Sequence, residues 1–174
     1  MPPHRVTLTV NYRTPAEIMD VANRLLPAAA PGVEPARPVR RTGAHPEVRT
    51  VHRADRVGTA ADAARSASAQ GGTVAVIAPV ELHETLTADL ADRGAVAGDV
   101  EAIDARIAVL TALDSKGLEF DHVVVVEPSQ LVAPDRSGLR LLYVVLTRAT
   151  RRLVVVHADP LPEALGLAPR SVEA

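Results

Sequence analysis

Thr73–Ala78 is a short, continuously apolar run bounded by Gly71-Gly72 on one side and Pro79 on the other. A run this short with no polar side suits a strand covered on both faces, as in a parallel sheet. Ile107–Thr111, His122–Val126 and Leu153–His157 also read as strands, and Val48–Val51 as a shorter one. Helical patterns lie between them. Asp55–Gln70 is Ala-rich and stopped by Gly71-Gly72, Val80–Arg93 is closed by Gly94, and Gly138–Thr150 carries a helical apolar face. Strands alternating with helices predict an α/β fold, a mainly parallel sheet with helices on both faces. With 174 residues, the chain suits a single domain, 1–174, around one core. Aromatic residues are only 2% of the chain, so that core has to be built from Val, Leu, Ile and Ala.

The N-terminal part is expected to begin with a strand at Val6–Val10. Thr14-Pro15-Ala16-Glu17 then reads as a helix start, with Thr14 as cap and Glu17 completing a capping box. Ile18, Val21, Ala22, Leu25 and Leu26 follow at helical spacing, and Pro27 is expected to end the helix. Residues 27–47 read as a Pro/Arg-rich surface loop. A turn holding Lys116 and Gly117 precedes the strand His122–Val126. The tail from Pro160 reads as loose or a short helix.

Composition narrows the function. There is no cysteine, so disulfides and thiolate metal sites are excluded, and the six histidines form no HExxH-like pair, so no metal site is expected. No apolar stretch is long enough to span a membrane. Met1–Arg5 does not read as a signal peptide, so a cytoplasmic monomer is the expectation. The net charge of −2 gives no bulk attraction to nucleic acid, and the patch Arg37, Arg40 and Arg41 reads as a solvated loop. Lys116 is the only lysine. Neither GxxxxGK[ST] nor GxGxxG occurs, so the chain cannot build a P-loop from its own residues.

Three segments carry chemistry. In Leu8-Thr9-Val10-Asn11-Tyr12-Arg13-Thr14, the Asn-Tyr-Arg triplet is expected at the carboxyl end of a strand, where open α/β sheets bind ligands. Tyr12 offers a π face and Arg13 a planar fork suited to phosphate. In Val109-Leu110-Thr111-Ala112-Leu113-Asp114-Ser115-Lys116-Gly117-Leu118-Glu119-Phe120-Asp121, Gly117 permits a tight turn and Glu119 can accept two sugar-hydroxyl bonds. In Leu142-Tyr143-Val144-Val145-Leu146-Thr147-Arg148-Ala149, Arg148 is expected to project from the helix Gly138–Thr150. Taken singly, Tyr12 also reads as a packing residue, Arg13 as a surface ion pair, and Lys116 and Glu119 as a solvated turn.

Together and in this order, the segments resemble motifs IV, V and VI of the second RecA-like domain of UvrD/Rep-type superfamily 1 motors. The resemblance implies a RecA-like fold without its own P-loop, completing an ATP and Mg²⁺ site with the N-terminal P-loop motor domain of the same protein. It implies that Tyr12 stacks on adenine, Arg13 contacts the γ-phosphate and Glu119 holds the ribose. Gly117 belongs to the same nucleotide turn, Lys116 to coupling between the motor domains, and Arg148 is the arginine finger. Arg151 and Arg152 read as solvated or as acting at the helix C-terminus.

Two features depart from the usual pattern. Leu113 stands where the family commonly has a histidine that holds the nucleic-acid backbone. The stretch from Leu26 to Arg106 is also too short for the large domain inserted there in processive helicases. Both departures, and the run Leu142–His157 followed by Pro160-Leu161-Pro162, resemble HelD-type ATPases, which implies RNA polymerase as a partner. An ordinary DNA-unwinding helicase domain and a degenerate RecA-like module that only binds a partner remain the alternatives.

Overall fold

The computed structural model of the protein describes residues 10–98 and 105–166. The expected strand at Val6–Val10 falls outside the described residues apart from Val10, which opens β1 (Val10–Asn11). After it come α1 (Ala16–Asn23), α2 (Leu26–Ala29), β2 (Arg37–Pro38), β3 (Glu47–Thr50), α3 (Arg56–Ala69) and β4 (Val74–Ile77). The remainder is α4 (His83–Asp89), β5 (Ala95–Ala97), β6 (Ile107–Leu110), β7 (Phe120–Val126), α5 (Pro128–Leu131), α6 (Arg136–Leu146) and β8 (Ala149–His157). Six strands form one sheet in the order β3-β8-β7-β4-β6-β5, and every pairing is parallel. β1 and β2 pair separately, also in parallel.

The strand pleat sorts the core onto two faces. Ala75, Ile77, Val123, Val125, Leu153 and Val155 pack with Ile18, Ala22 and Leu25 of the α1 region and with Leu142, Val145 and Leu146 of α6. Their neighbours Val74, Val76, Val124, Val126, Val154 and Val156 pack with the alanines of α3 and with Leu86 and Leu90 of the α4 region. Helices therefore cover both faces, as the apolar runs predict. Among the described residues no helix is long and apolar enough to cross a membrane.

Several local expectations are corrected. Pro27 does not end a helix; it sits in the first turn of α2, where its missing N–H has no partner to lose. The segment 27–47 is not all loop, since it supplies α2 and β2. Pro38 is tolerated in β2 because that strand has a single partner. The capping box does not form: α1 has no side-chain cap, and Glu17 turns instead to the chain at 42–43. Its carboxylate accepts Gly43 N–H at 2.8 Å and Thr42 N–H at 3.2 Å. The helix expected to Thr150 stops at Leu146: Arg148 N–H turns back to Val145 O at 3.2 Å, and from Ala149 the chain pairs with β7 as β8. The helix expected over Val80–Arg93 is α4 flanked by single 3₁₀ turns, closed by Gly94 at φ 67°.

Candidate functional site

The strands of the main sheet all run one way, so each connection must return to the amino edge before the next strand starts. The segment 111–119 leaves the carboxyl end of β6 and enters the amino end of β7. The turn 147–148 leaves α6 and enters the amino end of β8. Phe120 and Ala149 are register partners, and Phe120 N–H donates to Arg148 O at 3.0 Å. Glu119 and Arg148 thereby stand side by side at the amino edge of β7 and β8. The Asn11-Tyr12-Arg13 triplet does lie at the carboxyl end of a strand, as expected, but that strand is β1 of the small β1–β2 pair and not a strand of the main sheet.

The 111–119 segment is braced from within. Thr111 Oγ1 donates to Asp114 Oδ2 at 2.6 Å, and Asp114 N–H donates back to Thr111 Oγ1 at 3.2 Å. Buried Ser115 donates to Ala112 O at 2.7 Å. Gly117, at φ 85°, makes the left-handed turn that brings the chain back to the sheet. The Thr-x-x-Asp spacing is a local side-chain-to-backbone signal already present in the sequence.

Arg13 reaches this edge from β1. Asn11 Oδ1 accepts the N–H groups of Arg13 (2.9 Å) and Thr14 (3.1 Å), an Asx turn that fixes the bend after the strand. Buried Thr14 donates to Thr147 O at 3.3 Å, which ties this bend to the end of α6. Arg13 Nη1 then meets Glu119 Oε1 at 2.6 Å. This bond, with the attraction of the carboxylate, raises the Arg13 pKa. Asn11, Thr14 and the carbonyl of Leu118 were not singled out as site residues from the sequence; the Asx turn of Asn11 is a local signal that could have found it, whereas the Thr14–Thr147 and Leu118–Arg148 contacts are long-range and leave no local pattern.

Arg148 does not project from a helix. It lies in the turn after α6, half-buried, with Nε donating to Val144 O at 3.0 Å and Nη1 to Leu118 O at 2.9 Å. Desolvation lowers its pKa, and the nearby Glu119 acts in the opposite sense. Arg13, Glu119 and Arg148, distant in sequence, thus converge: Arg13 holds the Glu119 carboxylate and Arg148 holds the carbonyl of the preceding Leu118. Tyr12, 71% exposed, adjoins it through the chain. Lys116 is exposed and lines a groove with Leu113, Leu131, Val132 and Val144; no hydrogen bond ties it to the cluster. Arg151 and Arg152 lie in β8, away from any helix C-terminus, because the helix has already ended; they pair with Asp121 at 2.9 Å and Glu47 at 2.6 Å.

Two guanidinium forks can hold phosphate oxygens, a carboxylate can accept sugar hydroxyls, and an exposed phenol ring can stack on a base. Among the described residues no group of three or more His, Cys, Asp or Glu side chains could hold a metal ion. The cluster therefore fits the phosphates and sugar of a nucleotide, and no Mg²⁺ ligand set accompanies it among these residues.

Residues 106–156 match the family model of the UvrD-like helicase C-terminal domain. The match spans β6 to β8 and so includes Lys116, Gly117, Glu119 and Arg148, but neither Tyr12 nor Arg13. The crystal structure of the C-terminal domain of a possible DNA helicase from Lactobacillus plantarum WCFS1 is similar over 90% of this chain and 92% of that one, at TM-score 0.64 and 23% identity. That likeness shows the fold, an α/β RecA-like sheet with no P-loop among the described residues. No curated protein sequence matches the chain.

Proposed function

We propose that this chain is the second motor half of a UvrD-like superfamily 1 ATPase, closing an ATP site whose P-loop lies in an N-terminal motor domain of the same protein. The observation that carries this reading is the convergence of Arg13, Glu119 and Arg148 at one edge of the sheet. Arg13 and Arg148 act on the phosphates, Glu119 on the ribose and Tyr12 on the base. Arg148 is the finger: its fixed positive charge counts most when negative charge shifts on the transferring phosphoryl group. The P-loop half would hold Mg²⁺, which would supply neutralising charge to the phosphates. Lys116, in the exposed groove beside the cluster, is placed to sense the partner domain.

Within this class, HelD-type recycling of RNA polymerase is the finer reading. Leu113, 69% exposed at the tip of the 111–119 turn, cannot donate a hydrogen bond to a nucleic-acid backbone. The described residues between Leu26 and Arg106 are largely spent on α2, β2, β3, α3, β4, α4 and β5. Both points favour a partner-remodelling motor over a processive unwinding one.

The test is phosphate release by the purified chain alone. It should stay at background, because no P-loop Lys or Ser/Thr is present to hold the β- and γ-phosphates. Turnover by the chain alone that disappears with Arg148→Ala would contradict the half-site reading.

A further inference from the structure

Arg13 and Glu119, assigned to the phosphates and the ribose of a nucleotide, hold each other in the free domain. Arg13 Nη1 donates to Glu119 Oε1 at 2.6 Å, and among the described residues neither side chain has another ion-pair partner. The backbone N–H of Arg13 is fixed separately by Asn11 Oδ1, so the side chain can change partner without moving the bend that carries it. One residue before Glu119, the Leu118 carbonyl accepts from Arg148 Nη1. The Leu118-Glu119 stretch therefore engages both guanidinium groups at once, one through a carboxylate and the other through a carbonyl.

A carboxylate presents two oxygens to a guanidinium much as a phosphate does. A polyphosphate reaching Arg13 must displace Glu119, and a sugar reaching Glu119 must displace Arg13. We propose that Glu119 serves as an internal stand-in for phosphate, holding the free site closed on itself and releasing Arg13 when a polyphosphate enters. Release of Arg13 then frees the Glu119 carboxylate for the sugar, so phosphate and sugar binding reinforce each other. The proposal rests on the reading of Arg13 as a phosphate ligand. Because Arg13 is largely exposed, the latch is weak, in the range of ordinary surface ion pairs.

The experiment uses tripolyphosphate, which has neither sugar nor base, so that Glu119 cannot act as a sugar acceptor. It is titrated at low salt into the 174-residue chain and into Arg13→Ala, Glu119→Gln and the double variant. Glu119→Gln should bind tripolyphosphate about two- to five-fold tighter, the worth of an exposed ion pair. The gain should vanish when Arg13 is also removed. An unchanged or weaker Glu119→Gln, with Arg13→Ala still lowering affinity, overturns the latch and leaves the phosphate role standing. A gain that persists without Arg13 also overturns it, since that is long-range charge alone. If Arg13→Ala binds as well as the parent, the phosphate role fails and the latch falls with it.

Discussion

Glu127→Gln should be among the most destabilising conservative changes in this protein. Glu127 follows β7 at the carboxyl edge of the sheet, with its side chain fully buried. Its two oxygens accept Ala158 N–H at 2.9 Å and Asp159 N–H at 3.1 Å, and Arg56 Nη1 lies 3.7 Å away. Glutamine keeps the volume and one acceptor, but it turns an NH₂ group toward the other backbone N–H. It also leaves buried Arg56 Nη1, which has no hydrogen-bond partner, without a counter-charge. One lost charge-assisted bond is worth about 1.5–3 kcal/mol, and with the unpaired charge the total is about 2–4 kcal/mol. A domain of this kind has only about 5–15 kcal/mol to lose. With a urea slope of about 2 kcal/mol/M, the middle of the usual range, the unfolding midpoint should fall by roughly 1–2 M. Glu127 also sits at φ 50°, in the left-handed region, so Glu127→Gly separates two explanations. If the carboxylate dominates, glycine loses at least as much as glutamine despite the relieved backbone; if strain dominates, glycine stabilises. Exposed Glu34→Gln is the control and should move stability by no more than about 0.5 kcal/mol. A Glu127→Gln midpoint indistinguishable from that control would refute the reasoning.

Glu17 gives a pH signature. Its own backbone N–H and those of Gly43 and Thr42 hold the carboxyl below its ordinary value of 4.5. A depressed folded pKa contributes stability that is complete above the unfolded value and is lost as pH falls through the folded one. Glu17→Gln should lower Tm by about 2–4 °C at neutral pH, with the gap to the parent closing below pH 4.5; a gap independent of pH would count against it. Gly138→Ala should destabilise by about 1–3 kcal/mol in a denaturant titration, because a Cβ there collides with the Ala133 carbonyl. Gly58→Ala in α3 meets open space and should stabilise by about 0.4–1 kcal/mol.

The sheet was legible because buried parallel strands have no polar side: β4, β6, the core of β7 and the end of β8 lie within the apolar runs. β5 was missed because Ala95–Ala97 is short and only half-buried, with nothing local to mark it. The β1–β2 pair was missed because Arg37–Pro38 reads as loop chemistry and becomes strand only through a partner 27 residues away in register. The end of α6 was misread because apolar periodicity runs smoothly through Leu146, and the stop comes from the pairing of Ala149 with Phe120, a partner far away in sequence. Glu17 was read as a local cap, whereas its partners are backbone groups at 42 and 43 that no local window contains. The same limit applies at the site. Arg13, Glu119 and Arg148 stood out by residue type and spacing, but the Arg13–Glu119 pair and the hold of Leu118 on Arg148 arise from the return of two connections to one sheet edge.

The central claim is that Arg148 completes an ATP site shared with another motor domain, and ATP turnover by the full-length protein tests it most directly. Arg148→Ala should lower kcat by on the order of 10³- to 10⁵-fold with KM little changed, since the finger acts mainly on charge in the transition state. Arg148→Lys should recover only part of the loss, because an ammonium cannot reproduce the planar fork. A matched unfolding midpoint for the variants separates catalysis from the loss of the bonds to Val144 and Leu118. Arg151→Ala, which removes an exposed guanidinium paired with Asp121, should keep nearly full turnover. A folded Arg148→Ala protein that keeps most of its turnover, or an Arg151→Ala protein that loses as much, would contradict the half-site account and favour a RecA-like module that only binds a partner.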